Sequence, residues 1–316
     1  MGKVKVKVEN EEKKEKKISP NDIRNKTIRR MEVLKMKKEK AKEKKAERKR
    51  RKTAGEEPKK PHTIESLRVK DETVLDNTKA NEEKIEEVNI DIATDEFGDY
   101  FKMTYEPKVL ITFADNPVTK TRAFGIELSR IIPNSLTRYR NRSSLKKIVL
   151  RAKERGFTDV LVINEDRKQP NGLLVTHLPD GPTAYFRMSN VKITKELKKS
   201  HKEFSSLRPE VILNNFTTRL GTTISRMLAS LFHYSPEFKG RRAVTFHNQR
   251  DYIFFRHHRY EFKENGKPYL RELGPRFTLR LEYLQQGTFD TILGEYEWIK
   301  ANRRHELESN RRKFHL

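Results

Sequence analysis

Two eight-residue segments spaced by 96 residues restrict what this chain can become. GIELSRII at 125–132 and GTTISRML at 221–228 share the Gly, Ser and Arg positions. Each lies in an amphipathic stretch that follows an apolar run: KVLITF at 108–113 and EVILN at 210–214. A strand followed by a helix, occurring twice with matching landmarks, predicts an internal duplication of an α/β unit. Glycine and serine at the repeated positions would let the helix approach its sheet closely.

The rest of the pattern fits two such halves. In the first, Thr119–Ile132 and Ser144–Arg155 read as helices, stopped by Pro133 and Gly156. Thr158–Asn164 reads as a strand, and Gly172–Leu178 with Thr183–Met188 as a hairpin about Pro179-Asp180-Gly181-Pro182. Residues 191–209 are a polar, Lys-rich connector. In the second half, Leu220–Tyr234 is a helix and 241–262 is a hairpin turning at Asn248–Gln249. Asn265-Gly266 marks another turn, and Arg276–Gln285 a long alternating strand. The domain is therefore expected over 107–290, with halves at about 107–190 and 210–290.

Outside it lie a basic segment, 1–62, an acidic lead-in, 63–106, and a basic tail, 291–316, with Tyr296 and the single tryptophan, Trp298, placed to cap the domain or dock on a partner. Residues 1–17 are too charged to bury a core and are expected to be disordered. Ser19-Pro20-Asn21-Asp22 reads as a helix start, and 20–52 as one helix of about 50 Å. Ile28, Met31 and Leu34 form its short apolar stripe. A helix lying along RNA with that stripe docked on a partner explains the stripe; a solvated single helix has no use for it. The lead-in either lies across the basic domain, binds a basic partner, or is a solvated spacer.

Charge narrows the function. The chain carries a formal net charge of +25. By segment the net values are +14 for 1–60, −8 for 61–106 and +19 for 107–316. The folded region is itself basic, which calls for a polyanionic partner. No run approaches the roughly 20 apolar residues of a membrane span, no apolar leader is present, and the absence of cysteine excludes disulfides and Cys-based zinc sites. A soluble intracellular protein is expected.

Candidate RNA contacts cluster in three places. Arg138, Tyr139, Arg140 and Arg142, continued by Lys146 and Lys147, set cations and a stacking ring just before a helix whose N-terminus offers backbone donors. Arg241, Arg242, Arg250, Arg256 and Arg259 lie on the 241–262 hairpin, where Phe246, Phe254 and Phe255 are expected in the core. Lys120 and Arg122 open the first helix. His247, His257 and His258 raise a nuclease or metal reading, but only Asp251 is near them in sequence. No P-loop follows Gly172 or Gly181. No catalytic residue, metal or cofactor is assigned.

FHNQRDYIFFRHHRY at 246–260 resembles the signature of the Brix-domain family. PNSLTRYRNR at 133–142, ELGPRFTLRLEYLQQGTFD at 272–290, GEYEW at 294–298 and the terminal RRKF are similar to family members as well. The resemblance implies two similar α/β halves, each like the anticodon-binding domain of class II aminoacyl-tRNA synthetases. It also implies a non-enzymatic, rRNA-binding assembly factor of the nucleus and nucleolus that acts on large-subunit (60S) precursors. Its partners would be precursor rRNA, a dedicated assembly-factor protein and ribosomal proteins of a pre-60S particle. The rival readings are a protein–protein scaffold and an RNA-processing enzyme.

Overall fold

The computed structural model describes residues 22–55, 60–69, 71, 73–74, 90–197, 205–264, 266–290, 292–300 and 312–316. The expectations for 1–17, for Ser19 and Pro20, and for residues 301–311 of the basic tail lie outside the described residues. The chain divides into two compact units, Met1–Thr63 and Ile64–Leu316.

The first unit contains helix α1, Lys26–Thr53, with no buried residue. Its N-cap is Asn25, whose side-chain oxygen accepts from Thr27 N (2.9 Å) and Ile28 N (3.3 Å). The helix thus starts later than Ser19-Pro20 suggested, because asparagine satisfies two of the orphan N–H groups at the helix start. Arg50, Arg51 and Lys52 occupy the last turn, where cations meet the negative end of the helix dipole. Ile28, Met31 and Leu34 are exposed.

The second unit is built on one sheet. Its strands are β1 (Val109–Phe113), β2 (Ser135–Thr137), β3 (Asp159–Asp166), β4 (Gln169–His177), β5 (Thr183–Lys192), β6 (Glu210–Asn214), β7 (Arg242–Gln249), β8 (Tyr252–Phe262), β9 (Pro268–Glu272), β10 (Arg276–Gln285) and β11 (Tyr296–Ile299). Its helices are α2 (Gly98–Phe101), α3 (Thr119–Ile131), α4 (Leu145–Glu154) and α5 (Arg219–Ser230). The spatial order is β2-β1-β3-β4-β5-β10-β8-β7-β6, with β9 on β8 and β11 on β10.

That order is a palindrome. β1 and β3 are parallel, and β3-β4-β5 antiparallel. β6 and β7 are parallel, and β7-β8-β10 antiparallel. The antiparallel pairing of β5 with β10 joins the halves into a continuous sheet. The repeat falls within α3 and α5 and buries matching positions, Gly125 and Gly221, Leu128 and Ile224, Ile131 and Met227, though Gly125 is the seventh residue of α3 and Gly221 the third of α5. Among the described residues the second half has no counterpart of β2 and α4.

Helices α3 and α5 share one face of the sheet and one apolar core, where Phe124 meets Phe277 edge-on (5.3 Å) and Phe255 stacks on Phe277 (4.3 Å). Gly125 permits the approach: a Cβ there would stand 2.3 Å from the Phe113 ring. On the opposite face α4 covers only the first half, packing Val149 and Ala152 over Val160, Val162 and Leu174.

Residues 90–101 lie across the domain, one of the three alternatives for the acidic lead-in. Phe97 is fully buried and touches His177 (4.8 Å). That burial is worth roughly 1.5–3 kcal/mol. Tyr100 Oη lies 3.0 Å from the carbonyl oxygens of both Ala229 and Phe232. Asp95 takes a bidentate ion pair from Arg226 (2.6 Å each), whose guanidinium also covers the Phe101 ring at 4.0 Å. Arg226 occupies the repeat position of Arg130, so the duplication supplied an arginine and the second half uses it to hold the lead-in.

Candidate nucleic-acid interface

In open α/β sheets ligands gather beyond the carboxyl ends of parallel strands. In the first half that edge is formed by the loop after β1, residues 114–118, and the loop after β2, residues 138–144. Asn141 (φ 48°) and Arg142 (φ 60°) are both left-handed, and Ser143 N donates to Arg140 O at 3.0 Å. This is a type I′ turn, and it holds Arg142 in a conformation arginine rarely takes. Arg140 makes a bidentate pair with Asp115 (3.1 and 2.6 Å), which ties the two loops together. The hydrogen bond from Arg140 keeps the Asp115 carboxyl below the usual carboxylate range.

Tyr139 stacks on Phe113 with centroids 5.6 Å apart, and the Arg122 guanidinium stands 5.7 Å from the Tyr139 ring centroid. Arg122 Nε donates to Pro117 O at 2.7 Å. Tyr139 is still 53% exposed, so it is a held ring with accessible area. A cleft of about 440 Å³ opens between Asn116, Pro117, Arg122, Tyr139, Arg140 and Arg142. The N-cap of α4, Ser144, makes no side-chain cap bond, leaving first-turn N–H groups for a ligand. Arg138, Arg142 and Lys147 are exposed. Lys120 and Lys146 are committed to Glu196 (2.9 Å) and Asp290 (3.0 Å).

The equivalent edge of the second half is filled by the chain itself. Leu316 is buried in the core beside α5. Thr218 Oγ1 donates to His315 O at 2.6 Å, and Asn248 Nδ2 to Leu316 O at 3.0 Å. Asp251 Oδ1 accepts from His315 N (2.7 Å) and Leu316 N (3.0 Å). Gly221, equivalent to Gly125, sits so close that a Cβ would meet the Leu316 backbone at 2.8 Å. Trp298 packs against His315, with ring centroids 5.5 Å apart.

The hairpin cations separate. Arg241 and Arg259 are exposed, Arg259 lying 3.8 Å from Glu261. Arg250 is not beyond the turn but in it, with Asp251, at φ 55° and 63°, and it pairs with Glu65 (3.2 Å). β7 runs on through Asn248–Gln249, where the turn was expected. Arg242 is a core residue, 3% exposed. Its guanidinium donates to His257 Nε2 (3.1 Å), Leu207 O (2.7 Å) and Ser205 O, and burial lowers its pKa. It is an internal tie, out of reach of a phosphate backbone. Arg256 is half-buried and donates to Phe255 O at 2.7 Å. Phe246 and Phe255 are in the core as expected, but Phe254 lies on the opposite face of β8, half-buried.

His257 is pushed down to about 3 by burial and by Arg242, and so stays neutral, bonded to Gly274 O at 2.9 Å. Asp251 is spent on the backbone of 315–316. Among the described residues no group of three His, Asp or Glu side chains is placed to hold a metal ion. No described helix is long and apolar enough to cross a membrane.

Residues 115–283 match the family model described as the Brix domain. A Drosophila melanogaster protein named probable ribosome production factor 1 is 63% identical over 265 residues, covering 84% of this chain and 67% of its own. Ribosome production factor 1 of Xenopus laevis is 56% identical, covering 81% and 72%. A crystal structure of a probable ribosomal biogenesis protein from Aeropyrum pernix aligns with 16% identity and a TM-score of 0.39, covering 55% of this chain and 96% of that one. With more than half its length matched to the family model, the two-half sheet, the cationic crevice and the 241–262 hairpin are the parts of a chain that belongs to the Brix-domain family.

Proposed function

We propose that this chain is a ribosome-assembly factor that holds precursor rRNA at the open crevice of its first half. The single observation that carries the contact surface is Tyr139, stacked on Phe113 yet exposed, with Arg122 and Arg142 lining the same cleft and Arg138 next to it in the chain. Cations there meet phosphates, and the ring meets an unpaired base. The relatives named as ribosome production factors support the assembly role. Large-subunit precursors, a nucleolar site of action and a dedicated protein partner follow as finer parts of the same reading. The β8–β9 hairpin, which exposes Phe262, Tyr269 and Leu270, is a surface of the kind such a partner uses. The protein would work by binding and positioning, without a reaction of its own.

The test is the salt dependence of binding to a precursor-rRNA fragment. Affinity should fall linearly on a log–log plot as salt rises, because bound cations displace condensed counterions. Replacing Arg138, Arg142 and Lys147 together by Gln should lessen the slope by roughly 2–3. A flat response in the wild type would contradict RNA binding and favour the protein scaffold.

A further inference from the structure

Two periodicities build a groove between α4 and the outer strands of the first half. On β1 and β2, Leu110, Thr112, Leu136 and Arg138 alternate with the side chains that enter the α3 core, so they face the α4 side. Along α4 and its C-cap, Ile148, Arg151, Ala152 and Arg155 recur at spacings of three and four and share one stripe. The two sets enclose about 170 Å³.

The floor of the groove is aliphatic and its rim is cationic. Leu110 and Ile148 are half-buried, and Leu136 is left 41% exposed. Arg138, Arg151 and Arg155 are exposed. Asp115 is taken by Arg140 and Asp180 by Lys153, and no acidic side chain lines the groove. Thr112 lines it too, 2% exposed, and its Oγ1 has no hydrogen-bond partner. A buried hydroxyl left in that state is costly until a ligand meets it. Among the described residues β2 pairs with β1 alone, so its outer edge has backbone donors and acceptors open to a further strand.

We propose that this groove docks an acidic, extended segment of a protein partner. The segment lies along β2, and one aliphatic side chain enters between Leu136 and Ile148. Flanking Asp or Glu side chains meet Arg138, Arg151 and Arg155, and a polar group of the segment reaches Thr112 Oγ1. The sign of the partner follows from the rim: three arginines with no acid beside them in the groove call for carboxylates. Its apolar anchor follows from the floor. An apolar space of about 150 Å³ is enough to hold benzene, so one leucine-sized or isoleucine-sized side chain suits this one. A nucleobase fits poorly, because its polar edge would lie unpaired against Leu110 and Ile148. The Phe157 ring offers no stacking face there, as Lys108 Nζ stands over it at 4.6 Å. The groove meets the strand-end crevice at Arg138, Tyr139 and Arg140, yet the proposal holds whether or not that crevice binds RNA.

The test selects binders of the full chain from a displayed library of random short peptides at physiological salt. Enriched sequences should carry an aliphatic residue flanked by Asp or Glu. For the best of them, Leu136→Ala should weaken binding roughly tenfold, and Arg151→Gln with Arg155→Gln together roughly fivefold. Thr112→Val, which keeps the shape and removes the orphaned hydroxyl, should weaken binding roughly fivefold while the free protein melts no lower than wild type. A threonine of purely structural use would not separate those two readouts. Leu136→Ala should leave affinity for a precursor-rRNA fragment unchanged. No enrichment, enriched peptides without carboxylates, or acidic peptides that bind all three variants like wild type would overturn the proposal. A parallel loss of RNA affinity in Leu136→Ala would give the groove to RNA instead, and a wild-type dimer abolished by Leu136→Ala would give it to a second copy.

Discussion

After Phe113 the first half ends its leading strand in a cationic cleft; after Asn214 the second half ends the equivalent strand against residues 312–316. The two edges descend from the same strand–helix unit and carry the same glycine. Gly125 makes room for a ring from its own sheet, whereas Gly221 makes room for a distant segment of chain. Arg130 is exposed, while Arg226 is sunk against Asp95 and Phe101. Duplication produced two similar frames. The second was filled by the lead-in and the C-terminal residues, and the first was left with its polar edge facing outward.

Substitutions at matched positions would sharpen or break this contrast. The largest effect is expected for Gly125→Ala. Its Cβ would overlap the fully buried Phe113 ring, which has nowhere to go, at a cost of about 3 kcal/mol. Gly221→Ala should cost less, about 1–2 kcal/mol, since its Cβ would stand 2.8 Å from the Leu316 backbone against 2.3 Å from the Phe113 ring for Gly125. Equal losses of melting temperature would show that the segment is as fixed as the core. Next, Arg226→Ala should lose about 2 kcal/mol, because it strands Asp95 in a partly buried site, while Arg130→Ala should stay within about 0.5 kcal/mol. Chemical denaturation compares each pair.

A smaller effect concerns pH. His257 is neutral when folded, with its pKa pushed from 6.5 to about 3. The unfolded chain takes up that proton first, so its contribution to stability is complete above about pH 6.5 and is lost as pH falls from there toward 3. The loss approaches ~1.4 kcal/mol per pH unit at its steepest. His257→Gln, which can still bond to Gly274 and Arg242, should flatten this part of the stability profile. An unchanged profile would mean that His257 does not titrate on unfolding.

Much of this was legible in the chain. The strand–helix repeat anticipated the halves, and β1, β6 and β10 fall where the apolar patterns place them, since each is a run of apolar or alternating residues bounded by turn signals. Arg242 and Phe254 were misassigned although the signal was present. Arg242 alternates in phase with Val244 and Phe246, which puts it on the core face; Phe254 is in phase with Tyr252 and Arg256, which puts it on the other. β2 was not legible, being three residues, Ser-Leu-Thr, held in place by β1 alone. Nor was the filled edge: Leu316 and Asp251 are 65 residues apart, and nothing local in Phe-His-Leu specifies where it docks.

The most direct test is to photo-crosslink the full chain to precursor rRNA and map the joined peptides at the two strand ends. Crosslinks at Tyr139 and its neighbours, with none at 215–221, would bear out an open first edge and a filled second. Crosslinks at 215–221 with Tyr139 untouched would contradict the account, because RNA would then have displaced residues 312–316 and ignored the crevice left open.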